Sequence, residues 1–215
     1  LVSLYQQNTF HMKYFFLLFF AFITSTGFSQ DDLLSDLMKT QDTTTELLPK
    51  KMLLTQRIFW GQKGLLRPIS PLTTVNREKE LKLRRGMLVT HQVLGFATLG
   101  GMIGQGIVGS RLYNAMGNDY SKLKDVHEGL GAFVNITYST TAVMSLFAPP
   151  PLINRDKKIS AIRIHKWLSV VHMSSMIATN LLADKAGDPK FKPYHRAAAY
   201  TAFASYAAAV IAIKF

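Results

Sequence analysis

Cysteine is absent from this 215-residue chain. Its absence excludes disulfides, thiolate zinc sites, iron–sulfur clusters and covalently attached c-type haem, which needs Cys-x-x-Cys-His. It suits an oxidising compartment without proving one. Acidic side chains are scarce: 13 Asp and Glu stand against 25 Lys and Arg, giving a net charge of +12 and a pI near 9.9. The cations are spread over the segments between apolar runs instead of forming one stripe. Lipid headgroups, not nucleic acid, are therefore the expected contact. The chain also lacks a phosphate-binding glycine loop, a nucleophile–base motif and any carboxylate cluster within its apolar runs, so nothing points to a hydrolase.

Apolar residues, in contrast, are plentiful. They make up 48% of the chain and the mean hydropathy is positive, at +0.11, which predicts a membrane protein. Met12 reads as the biological start, with Leu1 to His11 upstream of it. Lys13 and the apolar run Tyr14 to Ile23 then have the layout of a secretory signal, ending in small and polar residues through Gly27, Ser29 and Gln30. An uncleaved anchor is the alternative. Residues 1–29 are thus read as upstream residues plus signal, 30–86 as an extracytoplasmic segment, and 87–215 as a four-helix transmembrane domain. Within the middle segment, Leu47 to Leu66 reads either as an amphipathic helix on the membrane surface with Trp60 at headgroup level, or as a short helix packed on the end of the domain. Arg77 to Arg85 forms a charged helical lead-in.

Four spans of about 20 residues are predicted: Met87–Gly109, Val126–Ala148, Ile162–Ala183 and Tyr194–Ile213. Short connections carrying Gly117, Asn118, Pro149 to Pro151, Gly187 and Pro189 make successive helices antiparallel neighbours. The expected fold is all-α, an integral membrane up-down four-helix bundle. Its insertion, after an N-terminal signal, is expected in a bacterial inner membrane. Two signals for orientation oppose each other: the signal segment puts Asp31 onward outside, while more basic residues (Arg77 to Arg85, Arg155 to Lys166) lie on that same side than on the other, against the positive-inside rule. The signal layout is given precedence.

Each span begins with a histidine: His91, His127, His165 and His195. Histidine is costly in a bilayer and tends to mark function there. Spans one and three run the same way, which puts His91 and His165 near one face; His127 and His195 then lie near the other. The partners sit on diagonal helices, where a flat porphyrin can take one imidazole on each side of its iron. Two pairs predict two non-covalent haem b groups stacked across the membrane. The bland alternative for each histidine is a place among headgroups. Six glycines of span one, including Gly100-x-x-x-Gly104, and the alanines of span four allow close helix contact and equally allow a ring to approach. His172, seven residues after His165, is a secondary candidate, either as ligand, propionate partner or satisfied polar group. Lys166 and Arg196 are secondary candidates for propionate pairing or for steering an anionic donor.

His91-Gln-Val-Leu-Gly, Ile164-His165-Lys166-Trp167-Leu168 and His195 at the start of span four resemble the core of the cytochrome b561 family. The resemblance covers about Met87 to Phe215, and the His165-x-Trp167-Leu168 element is its most specific piece. It implies a four-helix core with two b-type haems ligated from alternate helices. It also implies transmembrane electron transfer from ascorbate, another small reductant or a redox protein partner, and, if the chain is an enzyme, a transmembrane oxidoreductase. Lys124-Asp125-Val126-His127 matches part of the family's second helix, but Gly131 stands where a further histidine is usual, so His127 has to serve. Two classes compete with this reading. One is a cofactor-free scaffold or assembly subunit of a larger membrane complex. The other is a single-haem anchor linked to quinone, with Asn135, Tyr138, Asn180 and Tyr206 as polar contacts.

Overall fold

The computed structural model describes residues 47–152 and 161–214. The signal segment from Met12 and the basic stretch around Arg155 lie outside the described residues. Every regular element among those described is helical: α1 (Leu54–Trp60), α2 (Thr74–Leu112), α3 (Gly117–Leu146), α4 (Ala161–Ala183) and α5 (Lys192–Lys214).

Local chemistry sets the helix ends. Thr73 caps α2 by accepting the Asn76 N–H on its hydroxyl at 3.3 Å. The charged lead-in is continuous with the first apolar run, so α2 is 39 residues long, roughly 58 Å at 1.5 Å per residue. Gly117, at φ +57°, supplies the left-handed residue at the turn into α3. Pro193 lies in the first turn of α5, where its missing N–H costs nothing.

The four long helices form two hairpins, α2 with α3 and α4 with α5, which meet mainly where α5 packs on α2. Midway along them Met102, Val134, Met176, Ala202 and Tyr206 make one core with contributions from all four helices. Within Gly100-x-x-x-Gly104 only Gly104 faces the partner helix, where a Cβ would lie 3.6 Å from Leu130 Cδ1, and the tightest approach is at Gly101. Gly100 faces open space, whereas a Cβ on Gly101 would lie 2.8 Å from Val134 Cγ2. A one-residue shift moves a side chain about 100° around a helix, so the exposed glycine and the packed one are neighbours in sequence only.

Two helices, Thr74–Leu112 and Lys192–Ile213, are long and apolar enough to cross a membrane. The other two are too polar: α3 carries charges up to Glu128 and then Asn135, Thr137, Ser139, Thr140 and Thr141, and α4 carries Arg163, Lys166 and Asn180 among others.

Helix α1 packs on the end of the first hairpin. Its Trp60 is buried rather than presented outward. Five successive carbonyls at and beyond the α3 C-terminus each receive one donor from the preceding segment. Thr55 Oγ1 donates to Leu146 O (2.6 Å), Trp60 Nε1 to Phe147 O (2.9 Å) and Gln56 Nε2 to Ala148 O (3.2 Å). Arg84 donates to Pro149 O (2.6 Å) and Arg77 to Pro150 O (3.1 Å). A helix C-terminus leaves four carbonyls without intrahelical partners, and its dipole favours cations there. Thr55 satisfies one of those carbonyls, Leu146 O, the other donors hold the turn beyond the helix, and Arg84 and Arg77 bring the cations.

Behind them Glu80 is buried between Arg77 and Arg67, and also accepts from Ser70 Oγ at 2.8 Å. Burial alone would raise its pKa, but the hydrogen bonds from Arg77, Arg67 and Ser70 outweigh that and hold the carboxyl below its usual range. A carboxyl depressed by folding stabilises fully above its unfolded pKa. That contribution is lost as pH falls through the folded value. Glu80→Ala, which strands two buried guanidinium groups, should cost about 3–5 kcal/mol. Thermal unfolding of the wild type followed by helical ellipticity should weaken below about pH 4, and the variant should lack that component of the acid dependence.

Candidate histidine-paired cofactor sites

The four histidines fall into two pairs, and each pair joins the two hairpins. His91 of α2 and His165 of α4 have ring centroids 6.1 Å apart with planes at 79°. His127 of α3 and His195 of α5 are 6.5 Å apart at 72°. All four are partly buried.

The ring nitrogens are not equivalent. His91 Nδ1 lies 2.9 Å from Thr141 O, His165 Nδ1 3.0 Å from Ala209 O, and His195 Nδ1 3.0 Å from Thr179 O. A carbonyl oxygen only accepts, so each of these Nδ1 atoms carries the proton. Nε2 is then the nitrogen with a free lone pair, the tautomer that a metal-ligating histidine needs. Each acceptor belongs to the other helix of the same hairpin. The backbone of one helix thus orients the ring of its neighbour.

The geometry suits a particular kind of metal group. Among the described residues no three His, Cys, Asp or Glu side chains converge as a metal cage. The donors come as isolated pairs. A haem iron takes four bonds from its porphyrin and needs only two axial ligands. With metal–nitrogen bonds near 2 Å and an imidazole centroid about 1.1 Å behind its nitrogen, two such ligands place their centroids roughly 6.2 Å apart. The observed 6.1 and 6.5 Å agree with this. The levels of the two pairs follow from the hydrogen bonds. Thr141 lies level with His91 and fourteen residues after His127. The pairs are therefore separated by roughly 21 Å along the axis.

His172 joins neither pair. It is 7% exposed and sits in the central core, with Tyr138 Oη 2.7 Å from its Nδ1 and the Tyr206 ring centroid 5.0 Å away. Trp167 is 70% exposed and points outward, as does Lys166. The Arg196 guanidinium lies 4.6 Å from the Tyr113 ring centroid, beside the Lys192 ammonium at 4.4 Å. Of the polar groups considered as quinone contacts, Asn135 and Asn180 bond to each other at 2.8 and 3.1 Å. Tyr206 donates to Gly95 O at 3.1 Å. Asn135, Tyr138 and Asn180 line a groove of about 370 Å³ between α3 and α4 with Met173, Met176 and Ile177.

The sequence did not single out Thr141, Thr179 or Ala209, because their contribution is a main-chain carbonyl and any residue has one. Gly109, one of the six span-one glycines, is where a Cβ would lie 3.0 Å from His127 Cε1, a partner that spacing did not specify. That glycine makes the notch in which the His127 ring rests. No family model, curated protein or solved structure matches this chain.

A bulky residue in the notch must displace the imidazole. Gly109→Val should shift the His127 imidazole resonances in an NMR spectrum of the full chain and leave those of His91 and His165 in place.

Proposed function

We propose that this chain is a di-haem b-type membrane cytochrome, similar to the cytochrome b561 core, that carries single electrons across a lipid bilayer. The observation that carries this reading is the pair of histidine pairs. Each has the ring separation of axial ligands on one iron, and three of the four rings are held by their Nδ1 protons with Nε2 left to coordinate.

The outer surface supports the membrane part of the proposal. Large apolar side chains are exposed on all four long helices: Val93 and Ile107 on α2, Ile136 and Phe133 on α3, Ile177 and Leu181 on α4, Ile211 on α5. An apolar belt of that extent is unfavourable against water and normal against lipid. It includes α3 and α4, whose hydropathy is diluted by polar groups at their ends and on their inner faces.

When bound, haem supplies a one-electron couple at each level. The chain's own residues do the rest. His91 with His165, and His127 with His195, would hold the iron atoms. The central layer of Tyr138, His172 and Tyr206 fills the space between them and excludes water and lipid. Arg196 and Lys192 beside Tyr113, at the end nearer His127 and His195, form a cationic rim that favours an anionic donor or a propionate. An electron given up by a small reductant or redox protein at one face reduces an acceptor at the other, and no bond in the chain is made or broken. A scaffold subunit without cofactor would not need two imidazole pairs between its hairpins, three of the four rings with fixed tautomers.

The test is transfer across a sealed bilayer. Proteoliposomes holding ferricyanide and given ascorbate outside should reduce the trapped oxidant, at a rate proportional to protein. His165→Ala should abolish this without preventing insertion. Equal rates for the variant and the wild type would contradict the proposal.

A further inference from the structure

Three of the four histidine Nδ1 atoms have a carbonyl partner, and the fourth does not. His127 Nδ1 is buried with no hydrogen-bond partner. The same is true of one other side-chain atom among the described residues, the amide oxygen of Gln105. One atom is a potential donor and the other an acceptor, and they belong to the two facing helices of the first hairpin.

The surroundings place the two side chains against the same interface. The His127 ring lies over Gly109, one turn beyond Gln105 on α2. The Gln105 amide lies over Gly131, one turn beyond His127 on α3, where a Cβ would be 3.0 Å from Nε2. Each side chain thus occupies a notch left by a glycine on the opposite helix. The assignment of O and N within an amide follows from its hydrogen bonds, and a half-turn exchanges them.

The sequence register gives an independent argument. Each acceptor carbonyl lies fourteen residues after the histidine of its own helix: Thr141 after His127, Thr179 after His165, Ala209 after His195. Fourteen residues are close to four helical turns, so ligand and acceptor share one face. On α2 the residue fourteen after His91 is Gln105. It faces His127 in the register in which Thr141 faces His91. It is the only one of these four residues whose side chain carries a carbonyl.

We propose that Gln105 is the positioning residue of the His127–His195 site, its amide oxygen accepting the His127 Nδ1 proton in place of the main-chain carbonyl used at the other three histidines. The two sites then differ in kind: one has both ligands on backbone carbonyls, the other has one ligand on a side chain that can be exchanged. The proposal rests on the haem reading above. A hydrogen bond from a ligand's far nitrogen raises its basicity, and a stronger acceptor favours the oxidised metal.

Potentiometric titration of the purified, haem-loaded full chain tests it. Gln105→Glu should make the His127–His195 haem about tenfold harder to reduce, which is 59 mV for one electron. Gln105→Leu, which removes the acceptor, should shift it the opposite way. The His91–His165 haem should not move in either variant; it serves as the control for folding. The His127→Ala variant assigns the affected couple. Unchanged potentials in both Gln105 variants, or equal shifts of the two haems, would overturn the role of Gln105 while leaving the di-haem reading intact. A wild-type chain that binds no haem would overturn both.

Discussion

An imidazole buried in apolar surroundings has two nitrogens to satisfy, and its neighbours decide how. At His91, His165 and His195 the answer is the same: the Nδ1 proton goes to a main-chain carbonyl of the adjacent antiparallel helix. Those carbonyls already serve as acceptors within their own helices, but a carbonyl oxygen has two lone pairs and can take a second donor. Much of the arrangement depends on this interaction. It fixes the register of each hairpin, selects the tautomer, aims Nε2 away from its own hairpin and sets the two pairs at different levels.

The fold supplies the rest by keeping the hairpins apart at those levels and together between them. Tyr206, Met102, Val134, Met176 and Ala202 close the middle. Tyr138 and His172 meet there through a hydrogen bond, so a polar pair sits inside an apolar core with its needs met. At one end, the buried Arg67–Glu80–Arg77 cluster and the donors to residues 146–150 tie the lead-in segment to the α3 C-terminus. At the other end, the cations of Lys192 and Arg196 rest on Tyr113. The molecule therefore has one rigid cap and one exposed basic rim.

The sequence carried some of this openly and hid the remainder for physical reasons. Helix positions followed from long apolar runs bounded by glycine and proline. The continuity of α2 followed from a charged lead-in with no proline between Thr74 and Met87; the one glycine there, Gly86, leaves the helix unbroken. The recurrence of histidine at the start of each run was visible because histidine is rare in such places. The acceptors were not visible, since a backbone carbonyl has no residue type. The fourteen-residue offset could have exposed them, because four helical turns return to the same face. Of the span-one glycines, Gly101, Gly104 and Gly109 face α3 while Gly100 and Gly106 face open space, a division that spacing alone does not give. Trp167 drew attention by its place beside His165, yet consecutive residues on a helix face different ways, and this one points outward.

The most direct measurement is a reduced-minus-oxidised visible spectrum of the purified full-length protein, with haem quantified per chain. The account predicts a b-type spectrum and two haems per polypeptide, with His91→Ala and His195→Ala each removing one. A protein purified from haem-sufficient cells with no haem, or one whose haem survives substitution of all four paired histidines, would contradict it.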